Sequence, residues 1–235
     1  YPYPLISGDR VRIHYICREL ASHFDITLLC LCDSRQDLRD SLPQEAPSMR
    51  VEKVWLPRYR SYLNVLGAAF SRIPLQVAYY RSRTFRQRVS ELVQQHDIVL
   101  AHLLRTASYV GTVAKPRALE MTDAVSLTYQ RASRVGSRRR LKTWVYRVEQ
   151  SRAELYERNI LPLFDTVTVV SQSDRDQLLA GGAAAQVMVC SNGVDTDKYR
   201  FRPVFSNEPL VVFVGNLTTL PNLDACTYFA LEVLP

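Results

Sequence analysis

Residues 166–190 hold the pattern that most narrows what this chain can become. A short apolar run from Thr166 to Val170 is followed by a capped helix start at Ser171, Ser173 and Asp174 and a glycine exit at Gly181 and Gly182. A second apolar run from Val187 to Cys190 then closes on the turn Asn192-Gly193. Two nearly all-apolar strands joined through a helix read as a parallel βαβ unit, because strands covered by helices on both faces have no polar side. Such a unit belongs to a doubly wound α/β domain, so the expected fold is a Rossmann-like parallel sheet.

The rest of the chain repeats this alternation. Pro2 and Pro4 make the opening an extended loop that reaches Ser7-Gly8-Asp9, where Asp9 can cap a helix from Arg10 to about His23. A glycine loop at a helix N-terminus is either a tight turn or, through its free amides and the helix dipole, a cradle for phosphate. Ile26 to Cys32 reads as a buried strand, with Cys30 and Cys32 on one face as small core residues, and Val51 to Leu56 as another. Residues 61–72 read as a helix ended by Ile73-Pro74. Asp97 to His102 is a short buried strand that places His102 at its C-terminal end, where open parallel sheets bind their ligands. His14, His23 and His96 fall on helices or helix ends and read as structural or exposed. A helix from Leu104 to Ala114, a strand from Arg117 to Met121 and the loop Thr122-Asp123 follow. Gly136 to Leu161 is the longest helical stretch, with Trp144, Val148 and Leu155 on one side. After a polar linker from Phe201 to Pro209, Leu210 to Val214 reads as a strand and Asn222 to Leu234 as a helix.

Charge and cysteine content bound the partners and the setting. Thirty Lys and Arg against 23 Asp and Glu leave a net charge of +7, which favours phosphates, an anionic membrane surface or nucleic acid. The interleaved Arg and Tyr of residues 77–95 fit either nucleic-acid stacking or a solvated helix face over an aromatic hinge. No recognisable nucleic-acid module accompanies them, so no nucleic-acid partner is expected. Arg138, Arg139, Arg140 and Lys142 can hold a helix on an anionic membrane, or can form the charged outer face of a domain-spanning helix. Five scattered cysteines without Cys-x-x-Cys spacing point to neither a zinc site nor a disulfide framework, and a reducing cytoplasm is the simplest setting. No apolar run approaches the ~20 residues of a membrane span.

The order FD-x-V-x-VVS-x-SD, then V-x-V-x-SNGVD-x-x-x-Y, then FVGN, resembles the GT-B glycosyltransferases of family 4, the retaining group that includes sucrose synthase. Within that group the chain is most similar to bacterial exopolysaccharide-type sugar transferases. The resemblance implies an N-terminal, acceptor-side domain over residues 1–203 that lacks its first strand, and the truncated start of a C-terminal donor domain over 204–235. It further implies a hexosyltransferase that uses a nucleotide-sugar as substrate, needs no metal or other cofactor, and retains the anomeric configuration. The acceptor is a saccharide or a lipid-linked saccharide, and the location cytoplasmic or peripheral to the inner face of the membrane.

Carried onto this sequence, the resemblance makes His102 a catalytic candidate facing the donor sugar. Asp123 either orders an acceptor hydroxyl or caps the helix containing Val125 and Leu127. Gly8, Asp9, Arg12, Ser171, Asn192, Gly193, Gly215 and Asn216 are the candidates for the donor and its phosphates. The family's acidic donor-binding pair is expected beyond Pro235, so the chain alone is expected to be inactive. The alternative is a non-catalytic Rossmann-like module that binds a nucleotide or a polyanion.

Overall fold

Parallel strands must be joined by crossovers long enough to return the chain, and helices fill them here. A computed structural model describes residues 1–43, 46–134, 140–201, 210–217 and 220–234. They divide into two units, Tyr1–Asn192 and Gly193–Pro235. In the first unit α1 (Gly8–Leu20) leads to β1 (Thr27–Cys32), α2 (Arg35–Arg39) and β2 (Arg50–Trp55). Three helices follow, α3 (Arg58–Ala68), α4 (Leu75–Tyr79) and α5 (Arg83–Val93). The remainder alternates: β3 (Val99–His102), α6 (Leu104–Val110), β4 (Arg117–Thr122), α7 (Val125–Arg134), α8 (Arg140–Ile160), β5 (Thr166–Val169), α9 (Gln172–Ala180) and β6 (Val187–Val189).

All pairings are parallel, as the apolar runs require. β1 pairs with β2, and a separate four-stranded sheet runs in the order β3-β4-β5-β6. The main core lies on this second sheet: Leu119 and Met121 of β4 and Val167 and Val169 of β5 are fully enclosed against Leu104, Ala107, Leu161 and Leu178 of the flanking segments. Val54 of β2 belongs to the same core as Val89 and Val93 of α5, and Arg88 of α5 clasps Glu52 through two hydrogen bonds of 2.5 and 2.7 Å. Cys30 and Cys32 are buried, as their shared face suggested.

Three elements depart from the sequence expectation, each for a packing reason. β3 is an edge strand, so Ile98 and Leu100 stay exposed where a buried strand was expected. On α8 the buried stripe is not the Trp144 side but Glu149, Ala153, Glu157 and Ile160, with Trp144 exposed. Its two glutamates serve neighbouring helix starts, whose first amides have no partner inside their own helix. Glu149 accepts from the Leu75 amide at 2.7 Å, and Glu157 from the Ser126 amide at 3.1 Å. In the second unit Leu210–Val214 joins no ladder among the described residues, so the expected strand is not formed, whereas the helix is, as α10 (Leu220–Tyr228) and a π turn over Phe229–Val233. An extended segment becomes a strand only where a neighbour takes its amides. The expected linker at 202–209 lies outside the described residues.

Two stability predictions follow from local geometry. Gly182 ends α9 with φ +82°, its amide donating to Leu179 and the next to Leu178, a left-handed exit that costs a Cβ-bearing residue about 1–2 kcal/mol. Gly182→Ala is expected to lower the urea midpoint accordingly without changing the m-value. Burial pushes the Glu157 carboxyl up to about 7, outweighing the Ser126 hydroxyl and the Ser126 and Val125 amides that hold it down. Because the folded pKa lies above the unfolded one, the fold binds the extra proton, and stability falls as pH rises from about 4.5 to about 7. Glu157→Gln is expected to flatten that slope and to be the more stable protein above pH 7. Parallel stability profiles for the two proteins over this range would contradict the assignment.

Candidate functional site

β3 and β4 pair with His102 directly beside Glu120, which places both side chains at the C-terminal end of the sheet. Glu120 is a charged residue in the middle of an apolar strand and is 3 % exposed. It binds on several sides at once. Oε2 accepts from His102 Nδ1 at 2.5 Å, Oε1 accepts from Arg12 Nε at 2.6 Å, and Oε1 also takes the Thr122 amide at 3.0 Å. Burial alone would raise this carboxyl; the hydrogen bonds and charges of His102 and Arg12 outweigh it and hold the group below the usual carboxylate range. An ionised carboxylate only accepts, so His102 Nδ1 carries the proton in this contact. His102 Nε2 is thereby left as the working end of the ring. It is buried and meets no hydrogen-bond partner.

Arg12 carries the network across the domain. From the second turn of α1 its Nη1 donates to Asn192 Oδ1 at 2.9 Å and its Nη2 to the Cys190 carbonyl at 2.8 Å, so one guanidinium joins α1, β4 and the exit of β6. Asp9, near the start of α1, accepts from Ser7 Oγ at 2.6 Å and from Arg105 at 3.3 Å. Burial pushes the Asp9 carboxyl up, but Ser7 and Arg105 prevail and lower it. Arg105 also lies over the Tyr80 ring, 4.5 Å from its centre.

The backbone beside these groups is strained. Leu103 and Thr122, the residues that follow His102 and close β4, have φ of 69° and 65°, a region that side chains with a Cβ rarely enter and a β-branched residue hardly at all. The register of β4 against β5 slips between Glu120 and Thr122. Strain of this kind persists only where surrounding contacts over-determine it, and it gathers at ligand sites.

A pocket of about 240 Å³ opens next to this network, lined by Gln76, Leu103, Arg105, Met121, Asp123 and Tyr129 among others. Asp123 faces it with a raised pKa, chiefly from burial and then from the charges of Asp174 and Glu120. The first amides of α7 go elsewhere: Ala124 donates to Asp174 at 3.0 Å and Ser126 to Glu157, so Asp123 is not needed as their cap. A shallower depression of about 300 Å³ around Lys115, Arg117 and Asp165 lies at the N-terminal ends of β4 and β5, the end of a parallel sheet that ligands avoid.

Sequence-predicted residues thus separate into groups. His102, Arg12 and Asn192 converge on Glu120, Asp9 joins through Arg105, Gly8 opens α1, and Asp123 lines the pocket. Ser171 caps α9, as its place at a helix start suggested: its hydroxyl accepts from the Asp174 amide and donates to the Asp174 carboxylate. Gly193, Gly215 and Asn216 belong to the second unit, where Gly215 sits against the side chains of Phe213 and Asn222 and the Asn216 carbonyl accepts from Asn222. Glu120, Arg105 and Thr122 were missed. The signal for Glu120 was present, since a lone carboxylate inside the run Ala118–Met121 has to be paired if that run is a buried strand.

The family model for Glycosyltransferase Family 4 matches residues 6–198, which spans every one of the converging residues. The chain belongs to glycosyltransferase family 4. No curated protein and no solved structure matches it significantly. A family 4 domain works on a sugar donor and an acceptor, and its Rossmann-like α/β architecture is the one described above. In this family 4 chain Glu120 is the residue on which the arrangement turns. Glu120→Ala would leave Arg12 as an uncompensated buried charge, an effect of about 3–5 kcal/mol. Glu120→Gln, which keeps an acceptor, is expected to cost less, and chemical denaturation of both variants measures the difference. Equal stability of Glu120→Ala and the parent would remove Glu120 from this position.

Proposed function

We propose that this family 4 domain is the acceptor-side half of a retaining glycosyltransferase that moves a hexosyl group from a nucleotide-sugar to a saccharide or lipid-linked acceptor, as in exopolysaccharide assembly. The observation that carries the reading is the buried, unpartnered Nε2 of His102 at the C-terminal end of β3, with Nδ1 held on an ionised carboxylate. A ring fixed in this way presents one nitrogen to a ligand at a defined angle. In the proposed reaction the bond between the anomeric carbon and the diphosphate oxygen breaks, and a bond to the acceptor oxygen forms on the same face. The acceptor proton leaves with the nucleoside diphosphate. His102 Nε2 contacts the donor sugar, and Asp123 orders the acceptor hydroxyl in the adjoining pocket. The helix start at Gly8 supplies positive potential to the diphosphate as its charge develops. Neither a metal nor a further cofactor enters the scheme. The proposed workplace is the cytoplasm or the inner membrane face, where a lipid-linked acceptor is presented.

In the enzyme with both domains, His102→Ala is expected to lower kcat by about 10²-fold, the scale of losing one positioned polar group. The loss of one hydrogen bond on Glu120 should change stability by only about 1 kcal/mol, because Arg12 and Thr122 remain. Release of nucleoside diphosphate measures turnover, and thermal unfolding measures the fold. Near-normal turnover by a folded His102→Ala protein would remove His102 from the donor site, whereas absence of turnover in the parent enzyme would favour a non-catalytic binding module.

A further inference from the structure

The apolar stripe of α3 points away from the protein. Tyr59, Tyr62, Leu63 and Leu66, with Phe70 in the following turn, recur at i, i+3, i+4, i+7 and i+11 and therefore share one side of the helix. A surface helix ordinarily turns such a stripe to the core. Here the buried residues are Ser61 and Ala68 on the other side, small enough to let α3 approach its neighbours, while Leu63 and Leu66 are 61 % and 69 % exposed and Phe70 fully so. Asn64 locks the orientation by donating to the Arg81 carbonyl at 2.9 Å. Beside the end of α3, Arg152 of α8 donates to the Ala69 carbonyl, and Glu149 holds the start of α4. Earlier turns of α8 leave Leu141 and Trp144 exposed as well.

The stretch of chain that carries the stripe has charges of one sign. Between Glu52 and Glu91 the chain carries eight Lys or Arg and no Asp or Glu. Arg88 is held by Glu52 and Glu91, and Arg58 by Asp33 at 3.1 Å, whereas Arg60, Arg72, Arg81 and Arg83 are exposed. A second copy of the chain would set this basic rim against itself. An anionic bilayer surface meets both features at once, taking the aliphatic and aromatic side chains into the acyl boundary and the arginines at the headgroups. No helix among the described residues is long and apolar enough to cross a membrane, so the contact is with one leaflet.

We infer that α3 and the Phe70 turn form a lipid-docking surface for anionic membranes. The surface is separate from the His102 network, and binding is read without any sugar nucleotide, so its failure and the failure of the transfer reading are distinguishable. The test is density-gradient flotation of the full chain with vesicles of phosphatidylcholine containing phosphatidylglycerol, and with phosphatidylcholine alone; aggregated protein sinks and does not count as bound. The chain is expected to float with the anionic vesicles and far less with the neutral ones. Leu63→Asp combined with Leu66→Asp should cut the bound fraction constant about tenfold or more, since each exposed leucine forfeits its burial. Arg60→Glu combined with Arg72→Glu should cut it on anionic vesicles alone. No flotation of the parent chain, or flotation unchanged in both variants, overturns the inference. A lipid-free dimer of the parent that the leucine variant converts to monomer also overturns it, in favour of self-association.

Discussion

A single buried carboxylate holds the ligand-side end of this domain together. Glu120 stands in an apolar strand where an unpaired charge would be prohibitive, and three groups from three places make it tolerable: Arg12 from α1, His102 from β3 and the amide of Thr122. Because Arg12 continues to Asn192 and the Cys190 carbonyl, the same charge fixes the exit of β6 relative to the start of the chain. The left-handed backbone at Leu103 and Thr122 borders these contacts. Charge pairing, strand register and the direction in which His102 Nε2 points are therefore one coupled arrangement. A change at any member is felt by the others.

Carboxylates do similar work elsewhere in the first unit. Asp174 and Glu157 take the opening amides of α7, and Glu149 takes that of α4, whose own cap position is Pro74 and offers no side-chain acceptor. Each acid satisfies donors that a helix cannot satisfy itself, and each sits on a different element from the helix it caps. The helices around the sheet are thereby cross-linked by polar contacts inside an otherwise apolar core. This is why α8 buries two glutamates and leaves Trp144 in solvent.

The local pattern made the parallel strands, the helices between them and the strand-end position of His102 legible, since all three depend on near-neighbour spacing. It also marked Gly182 as a helix exit and Cys30 and Cys32 as core. It did not mark Glu120, because a carboxylate in a strand reads as an anomaly until the partners from α1 and β3 are known. Ser171 was legible as a helix cap, and the structure adds Asp174 as the second partner of its hydroxyl.

What the sequence determined by itself was the class of fold, because apolar runs of strand length joined by capped helices can bury their faces in few other ways. Tertiary structure alone decided which charged groups meet. Arg12 and Glu120 are 108 residues apart, and Arg12 and Asn192 are 180 apart. No periodicity reports contacts at that separation. The outward turn of α3 was decided in the same way, since its spacing shows that one face is apolar but not which face the neighbouring helices leave uncovered.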